Sequence, residues 1–190
     1  MSKLYFRYGC VDSAKTLNLL AVAHTYREQG KHILIVKPSI DTRFGSDKIQ
    51  SKAPLGPINT DVSLDPSALL DRKLLNNVAC ILVDESQFLA EHQVEDLRDI
   101  ATVMDIHVIC YGLRTDFLTH TFAGSKRLLE LADSITEVKT TCFFCNSKAI
   151  FSGRKAIGDS SYSSKGDQII LGDADMYTPL CSRCYSLKTR

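Results

Sequence analysis

The chain has 190 residues, of which 44% are hydrophobic and 24% are charged, and its formal net charge at pH 7 is +1. This composition is typical of a globular protein with one main core. The near-neutral charge gives no electrostatic reason to expect nucleic acid or a membrane surface as a partner. No apolar run approaches the length of a membrane span and no signal peptide precedes the first strand pattern, so we expect a cytoplasmic protein.

The N-terminal segment predicts a strand, a phosphate-binding loop and a helix, in that order. An apolar run at 3–8 predicts the strand, and a helical pattern follows at 16–28. Between them lies the stretch GCVDSAKT at 9–16. In such a loop, backbone N–H groups face the phosphates, the lysine reaches the β- and γ-phosphates, and the hydroxyl binds magnesium. Because Ala14 replaces the second glycine of the pattern, an ordinary strand-to-helix turn is the alternative.

The next segments alternate between strand and helix patterns. Apolar runs predict strands at 32–37, 78–83, 106–111 and 134–141, and helical patterns predict helices at 94–104 and 127–132. Asp65 and Pro66 predict the start of a short helix at 66–75. This alternation indicates an α/β fold, a mostly parallel sheet with helices on both faces and a nucleotide at the carboxyl ends of the strands.

Two segments between these elements carry further information. Asp84 follows the strand at 78–83, where a Walker B aspartate would hold magnesium, although an aspartate there could simply cap the next helix. The polar stretch at 39–65 has little periodicity, so we expect a long irregular loop that is either functional or disordered.

Four of the seven cysteines form two C-x-x-C pairs, in which Cys142 pairs with Cys145 and Cys181 with Cys184. Zinc binds four thiolates tetrahedrally, and each C-x-x-C turn supplies two of them. The spacing therefore predicts a structural zinc site without an open catalytic position. An unliganded or redox-active set is the alternative.

The composition changes at the first of these cysteines. We therefore expect a P-loop ATP-binding α/β domain over 1–141 and a small zinc-binding subdomain over 142–190. In the second part, short strands are predicted at 149–154 and 168–171, on either side of a polar tip rich in Gly and Ser.

These features together resemble the cytosolic thymidine kinase family with the zinc-containing lasso, which is distinct from the larger viral-type nucleoside kinases. The resemblance extends from Lys3 to Tyr185, and the stretch YGLRTDF is similar to the bacterial branch. The matching stretches are KP and DTR within 37–43, VDESQF at 83–88, YGLRTDF at 111–117, LAD at 131–133, and Tyr177 with CSRCY at 181–185.

The resemblance implies transfer of the γ-phosphate of ATP to the 5′-hydroxyl of thymidine, which gives thymidine monophosphate. Glu85 would be the general base that accepts the hydroxyl proton. Lys15 would neutralise the transferring phosphate, and Thr16 and Asp84 would serve Mg²⁺. The implied ATP- and magnesium-binding set is Gly9, Ser13, Lys15, Thr16, Asp84 and Gln87.

The family also implies a thymine pocket, which the aromatic residues alone would not distinguish from plain core. Tyr177 and the backbone at about 169–173 would form a lasso that closes over the base and reads its edge through main-chain groups. The implied nucleoside-binding residues are Phe88, Leu113, Phe117, Phe122, Ile169, Ile170, Leu171, Gly172, Asp173 and Tyr177. A homotetramer and feedback inhibition by thymidine triphosphate (dTTP) are implied as well.

Several positions depart from the family pattern. Ala14 replaces glycine, Asp12 adds a negative charge to a loop meant for a polyanion, and Asp173 replaces a glycine of the lasso. A divergent paralogue with weak or lost kinase activity is therefore an alternative. Two further alternatives are another P-loop enzyme, such as an NTPase or a kinase for a different nucleoside, and a non-catalytic zinc-ribbon binding module.

Overall fold

The computed structural model of the protein describes residues 1–43, 45, 47–51, 56–156, 161–169 and 176–189. Its strands are β1 (Leu4–Tyr8), β2 (His32–Pro38), β3 (Lys48–Ile49), β4 (Ile58–Asn59), β5 (Val62–Leu64), β6 (Val78–Val83), β7 (His107–Gly112), β8 (Ser134–Glu137), β9 (Phe151–Arg154) and β10 (Tyr177–Leu180). Its α-helices are α1 (Lys15–Glu28), α2 (Glu91–Val103), α3 (Ala123–Leu131) and α4 (Ser182–Lys188).

Six strands form the central sheet in the spatial order β5-β2-β6-β7-β1-β8. Every neighbouring pair in this sheet is parallel. The strands β9 and β10 form a separate antiparallel pair near the C-terminus, and β3 and β4 form another. The predicted α/β architecture with a parallel sheet is therefore confirmed.

The sheet is buried on both faces, which explains why its strands are continuous apolar runs in the sequence. On one face, Leu19 and Ala23 of α1 pack with alternate residues of β2 and β6, such as Ile35 and Leu82. On the other face, α2 and α3 pack against the remaining residues of the same strands, such as Val83. Helices therefore cover both faces, as predicted.

The strand order places the phosphate loop and the Walker B candidate Asp84 together at the carboxyl ends of the central strands. The loop follows β1, Asp84 follows β6, and β7 lies between these two strands. The Gly9 amide donates a 3.2 Å hydrogen bond to the carbonyl of Gly112, at the end of β7. The carboxyl ends of these strands therefore frame one site, as expected for an open parallel sheet.

The helix predicted at 66–75 is wrong, because only its last residues, Arg72–Leu75, form a helical turn of the 3₁₀ type. Asp65 accepts a hydrogen bond from the Ser67 amide, and Asp71 accepts one from the Lys73 amide. Aspartate side chains that bind backbone amides two residues ahead offer the chain a turn in place of a continuous helix.

Two other predicted boundaries need correction. In its described part, the stretch at 39–65 contains the short strands β3, β4 and β5, and β5 joins the edge of the main sheet next to β2. The strand predicted at 168–171 is wrong where it can be compared, since Gln168 and Ile169 are not in a strand and positions 170 and 171 lie outside the described residues. The partner of β9 is instead β10.

A small C-terminal core accompanies the β9–β10 pair and α4. It consists of Cys142, Tyr162, Leu180 and Cys181. The boundary between residues 141 and 142 stays a prediction. Among the residues that the structure describes, no helix is long and apolar enough to span a membrane.

Candidate active site

Gly9 and Ser13, at the start and in the middle of the phosphate loop, lie in close contact. A Cβ atom added to Gly9 would lie 2.3 Å from the Ser13 Oγ and 2.5 Å from the carbonyl oxygen of Val138. Only glycine therefore fits at the start of the loop. Ala14 has φ 59° and ψ 29°, which is the left-handed conformation, and Asp12 also has a positive φ of 58°. The position of the missing second glycine thus keeps the backbone geometry that favours glycine.

Lys15 turns its side chain back into the loop. Its Nζ donates hydrogen bonds to the Cys10 carbonyl at 2.8 Å and to the Ser13 Oγ at 3.3 Å. Burial lowers the pKa of Lys15, and the nearby negative charge of Glu85 opposes this effect only in part. Lys15 is half-buried and its ammonium group is partly desolvated inside the loop, where an anion would stabilise it.

Thr16 and Asp84 join the loop to the end of β6. The Thr16 hydroxyl donates a 3.1 Å hydrogen bond to the Asp84 carboxylate. Asp84 is buried, and this burial, followed by the charge of Glu85, raises its pKa. A hydroxyl beside a carboxylate is the oxygen ligand type that Mg²⁺ prefers. Because the Asp84 side chain contacts Thr16, at the end of the phosphate loop, its position favours a magnesium ligand over a helix cap.

Glu85 is held by two neighbours at the end of the same strand. Arg43 Nη2 lies 2.6 Å from its Oε1, and Gln87 Nε2 donates to its Oε2 at 2.5 Å. The Glu85 charge raises the pKa of Arg43 above its ordinary value. Arg43 Nε also binds Asp41 at 2.7 Å. Burial raises the pKa of Asp41, but the hydrogen bond and charge of Arg43 outweigh this and hold it below its usual range.

A cavity of about 410 Å³ connects the phosphate loop with an apolar region. Phe88 and Phe122 meet edge to face there with ring centroids 5.8 Å apart, and Phe117 is almost fully buried. Eleven of the predicted site residues line this cavity, namely Ser13, Lys15, Thr16, Glu85, Gln87, Phe88, Leu113, Phe117, Phe122, Ile169 and Tyr177.

The other residues predicted to bind ATP, magnesium or the nucleoside fall into two groups. Gly9 and Asp84 do not line the cavity themselves, but each contacts a residue that does: Gly9 lies against Ser13, and Asp84 accepts a hydrogen bond from Thr16. The second group lies outside the described residues and consists of Ile170, Leu171, Gly172 and Asp173.

Further residues line the cavity that the sequence did not identify as site residues, among them Arg43, Thr115, Asp116, Ser152 and Gln168. Gln168 Nε2 donates to Asp116 Oδ2 at 2.9 Å, and the Ser152 Oγ accepts a 3.1 Å hydrogen bond from the Val11 amide. For Arg43 the charged stretch DTR was a usable signal. For Thr115 and Asp116 the stretch YGLRTDF was such a signal, whereas no local pattern marks Ser152 in β9 or Gln168.

The four paired cysteines converge at the C-terminal core. The Sγ atoms of Cys142, Cys145, Cys181 and Cys184 all lie within 4.8 Å of one another. Hydrogen bonds from Ser147 lower the pKa of Cys145 to about 6, whereas burial and the neighbouring thiols raise the pKa of Cys184 to about 12. Four converging thiols are the donor set of a closed tetrahedral zinc site, so this cluster could hold zinc.

Comparisons with known proteins agree on one family. The family model described as Thymidine kinase matches residues 2–185. The thymidine kinase of Streptococcus pyogenes serotype M6 is 39% identical over 189 residues, which cover 97% of each chain. The thymidine kinase of Lactiplantibacillus plantarum is 40% identical over 186 residues, which cover 97% of this chain and 96% of the relative.

Similarity to solved structures is much weaker. A Bacteroides Pif1 bound to single-stranded DNA aligns with a TM-score of 0.38 and 16% identity, over 72% of this chain and 38% of that chain. The Pif1 helicase from Candida albicans also gives a TM-score of 0.38, with 12% identity over 72% of this chain and 36% of that chain. Scores this low do not establish a shared fold or activity. The matches to the family model and to the bacterial relatives assign the chain to the thymidine kinase family of ATP-dependent nucleoside kinases.

Proposed function

We propose that this protein transfers the γ-phosphate of ATP to the 5′-hydroxyl of thymidine. The observation that carries the proposal is one cavity in which Glu85, Lys15 and Thr16 lie together with an apolar, aromatic wall. Phosphoryl transfer requires mainly positioning and neutralisation of charge, and a nucleoside base requires apolar surfaces. The cavity combines these requirements.

The phosphate end of the cavity has a distinct task for each residue. Gly9 and Ser13 shape the loop whose N–H groups would face the phosphates, and Lys15 neutralises the transferring phosphate. Thr16 and Asp84 are the residues that would hold Mg²⁺. When bound, the metal ion neutralises charge that develops on the phosphate oxygens.

Glu85 is the proposed general base. Arg43 and Gln87 each hold one of its carboxylate oxygens, which fixes the orientation of the group. Gln87 also accepts a 3.0 Å hydrogen bond from the Leu113 amide through its Oε1. Because Leu113 lines the cavity, Gln87 links the position of the base to the wall proposed for thymine.

Phe88, Leu113, Phe117 and Phe122 are proposed to enclose the thymine ring. Ile169 and Tyr177, with the segment 170–173 between them, are proposed to close over the base. Zinc at the four cysteines would stabilise the C-terminal subdomain, which carries both ends of the segment 170–173. The homotetramer and feedback inhibition by dTTP remain proposals that come from the family.

One observation favours a weakened kinase as the second candidate. Ala14 adopts a left-handed conformation that non-glycine residues occupy at a cost of about 1–2 kcal/mol. A loop strained in this way would bind ATP less well than one with glycine. The predicted difference is in rate and ATP affinity, with the same substrates.

The test is phosphorylation of thymidine, deoxyuridine and deoxycytidine by the wild type and by Glu85→Gln. General-base catalysis contributes about 10²–10⁴-fold, so Glu85→Gln should lose at least about 100-fold in kcat while ATP still binds. Glu28→Gln, at the exposed end of α1, is the matched control and should keep full activity. Wild-type kcat in Glu85→Gln would remove Glu85 from the mechanism. A folded wild type without thymidine turnover would contradict the proposed function itself.

A further inference from the structure

Arg154 is a buried arginine at the end of β9, with only 4% of its surface exposed. Its guanidinium carbon lies 3.5 Å from the centroid of the Phe117 ring. A guanidinium at this distance makes a cation–π contact, which is strengthened when the pair is removed from water. Because Phe117 lines the cavity, Arg154 supports the cavity wall from behind without being among the lining residues.

The same guanidinium also holds a segment of the chain that leads to the cavity. Its Nη1 donates a 2.8 Å hydrogen bond to the carbonyl of Asp167, and its Nη2 donates a 3.3 Å hydrogen bond to the carbonyl of Lys165. Gly166, between these carbonyls, has φ +126°, and a Cβ there would lie 2.4 Å from Arg154 Nη2. The backbone thus curves around the guanidinium in a way that only glycine permits.

The held segment continues directly into the cavity wall. Gln168 and Ile169 both line the cavity, and Gln168 binds Asp116, the residue before Phe117. The carbonyl of Phe117 accepts a 2.6 Å hydrogen bond from the Tyr185 hydroxyl. The segment and the aromatic wall are therefore attached to each other twice, through Arg154 and through the Gln168–Asp116 pair.

We propose that Arg154 is a positioning residue for the nucleoside. It acts through the ring of Phe117 and the segment 165–169, which it holds together at the nucleoside end of the cavity. This inference rests on the proposed function, because it assigns the nucleoside to that end. If the segment is not held in advance, ordering it must be supplied by thymidine binding, which weakens affinity.

The expected effect is selective for the nucleoside. Arg154→Gln removes the cation–π contact and both hydrogen bonds, and we expect the Kd and KM for thymidine to rise at least about tenfold. The KM for ATP should change less than about twofold, because the phosphate loop lies at the other end of the cavity. Arg154→Lys keeps the charge over the ring but loses the planar fork that reaches two carbonyls, so it should recover part of the affinity.

The experiment measures thymidine binding by calorimetry without ATP, and steady-state kinetics with each substrate varied in turn. Lys188→Gln is the matched control. It removes another cation–π contact of the C-terminal unit (the described residues of 142–189), in which Lys188 Nζ lies 4.6 Å from the centroid of the Phe144 ring, and neither residue lines the cavity. This control should leave both KM values unchanged. Zinc content and melting temperature establish that each variant is folded.

Two outcomes would overturn the proposal. One is a folded Arg154→Gln variant with wild-type thymidine affinity, and the other is an equal loss of ATP and thymidine affinity. If that variant does not fold, Gly166→Ala is tested instead. Gly166 is exposed, and a Cβ at this position disturbs the contact between the segment 165–169 and the Arg154 guanidinium. This substitution should weaken thymidine binding without weakening ATP binding. Wild-type protein that binds thymidine but does not phosphorylate it would contradict the proposed function while still testing Arg154. A wild type that does not bind thymidine would contradict both.

Discussion

Arg43 and Glu85 form an ion pair in which Nη2 and Oε1 are 2.6 Å apart, and both residues line the cavity. The pair is the end of a longer row of alternating charges. Arg43 also binds Asp41, whose second oxygen lies 3.4 Å from Nζ of Lys37, a fully buried lysine. Lys37 is further bound to the carbonyls of Gly45 and Lys48. The orientation of the proposed base therefore depends on charges that begin in β2.

We expect Arg43→Gln to lower kcat by about 100-fold, because it removes a cation from the proposed phosphoryl-transfer site and releases one oxygen of Glu85. Arg43→Lys should recover only part of this loss, since one ammonium cannot span both carboxylates as the guanidinium does. Single-turnover kinetics with saturating ATP and thymidine would measure the effect on the chemical step.

Arg72→Gln is a suitable control for the loss of an arginine–carboxylate pair. Arg72 binds both oxygens of Asp96, at 3.0 Å and 2.5 Å, and neither residue lines the cavity. This variant should lose stability while kcat stays unchanged. A wild-type kcat in Arg43→Gln would show that Arg43 has only a structural role.

The left-handed backbone at Ala14 gives a second prediction, on stability. Glycine avoids the cost of about 1–2 kcal/mol that a Cβ adds in this conformation, but it also makes the unfolded chain more flexible by about 0.5–1 kcal/mol. Ala14→Gly should therefore raise the free energy of unfolding by roughly 0.5–1 kcal/mol, which corresponds to an increase of about 1–4 °C in melting temperature. It should also lower the KM for ATP.

Ala21→Gly provides the opposite control for the same substitution. Ala21 lies in the exposed part of α1, where glycine costs about 1 kcal/mol relative to alanine. Thermal melts of the two variants should therefore shift in opposite directions. A lower melting temperature for Ala14→Gly would contradict the assignment of strain to this position.

Much of the central sheet could be predicted from sequence because its physical cause is local. A strand covered by helices on both sides is apolar throughout, and Val78–Val83 shows this pattern directly. The helix at 66–75 failed for an equally local reason, since Asp65 and Asp71 bind backbone amides just ahead of them. Asp65 followed by Pro66 indicates a helix start in the sequence, but in the fold Asp65 forms a turn with Ser67 instead.

The candidate site was predictable where a motif carries its own geometry. Lys15 and Thr16 belong to one loop, and that loop brings them to the cavity. Arg43 reaches Glu85 only because the strand order places the ends of β2 and β6 side by side. Asp116 and Gln168 are 52 positions apart and meet through a side-chain hydrogen bond. No periodicity encodes such contacts, so they emerge only from the folded chain.

The buried carboxyl of Asp84 predicts a pH dependence of the ligand-free protein. Burial, and then the charge of Glu85, raise its pKa, so the folded protein holds this proton at pH values where the unfolded chain has released it. The contribution of protonated Asp84 to the free energy of unfolding is therefore fully present below about pH 4, and it is lost as the pH rises through the raised pKa. Asp84→Asn removes this penalty and should be more stable than the wild type at pH 8 by at least about 1 kcal/mol.

Denaturant unfolding of the ligand-free proteins at pH 4.5 and pH 8 would measure this difference. The advantage of Asp84→Asn should grow with pH, whereas Asp99→Asn, an exposed site on α2, should show no such growth. Magnesium with ATP should raise the melting temperature of the wild type much more than that of Asp84→Asn. An advantage that is equal at both pH values would refute the role of the buried charge.

The cysteine cluster gives the last prediction, which concerns metal removal. The same C-terminal unit supplies Ser152 and Tyr177 to the cavity wall, and its Tyr185 binds the carbonyl of Phe117. Loss of zinc should disorder this unit, because a closed four-thiolate site contributes directly to folding. Cys184→Ser should therefore lower zinc content and raise the KM for thymidine at least about tenfold, with a smaller effect on ATP. Ser186→Ala, in the same helix and exposed, should match the wild type in zinc content and both KM values. Metal analysis paired with kinetics on each variant checks this, and wild-type thymidine affinity in zinc-free protein would contradict it.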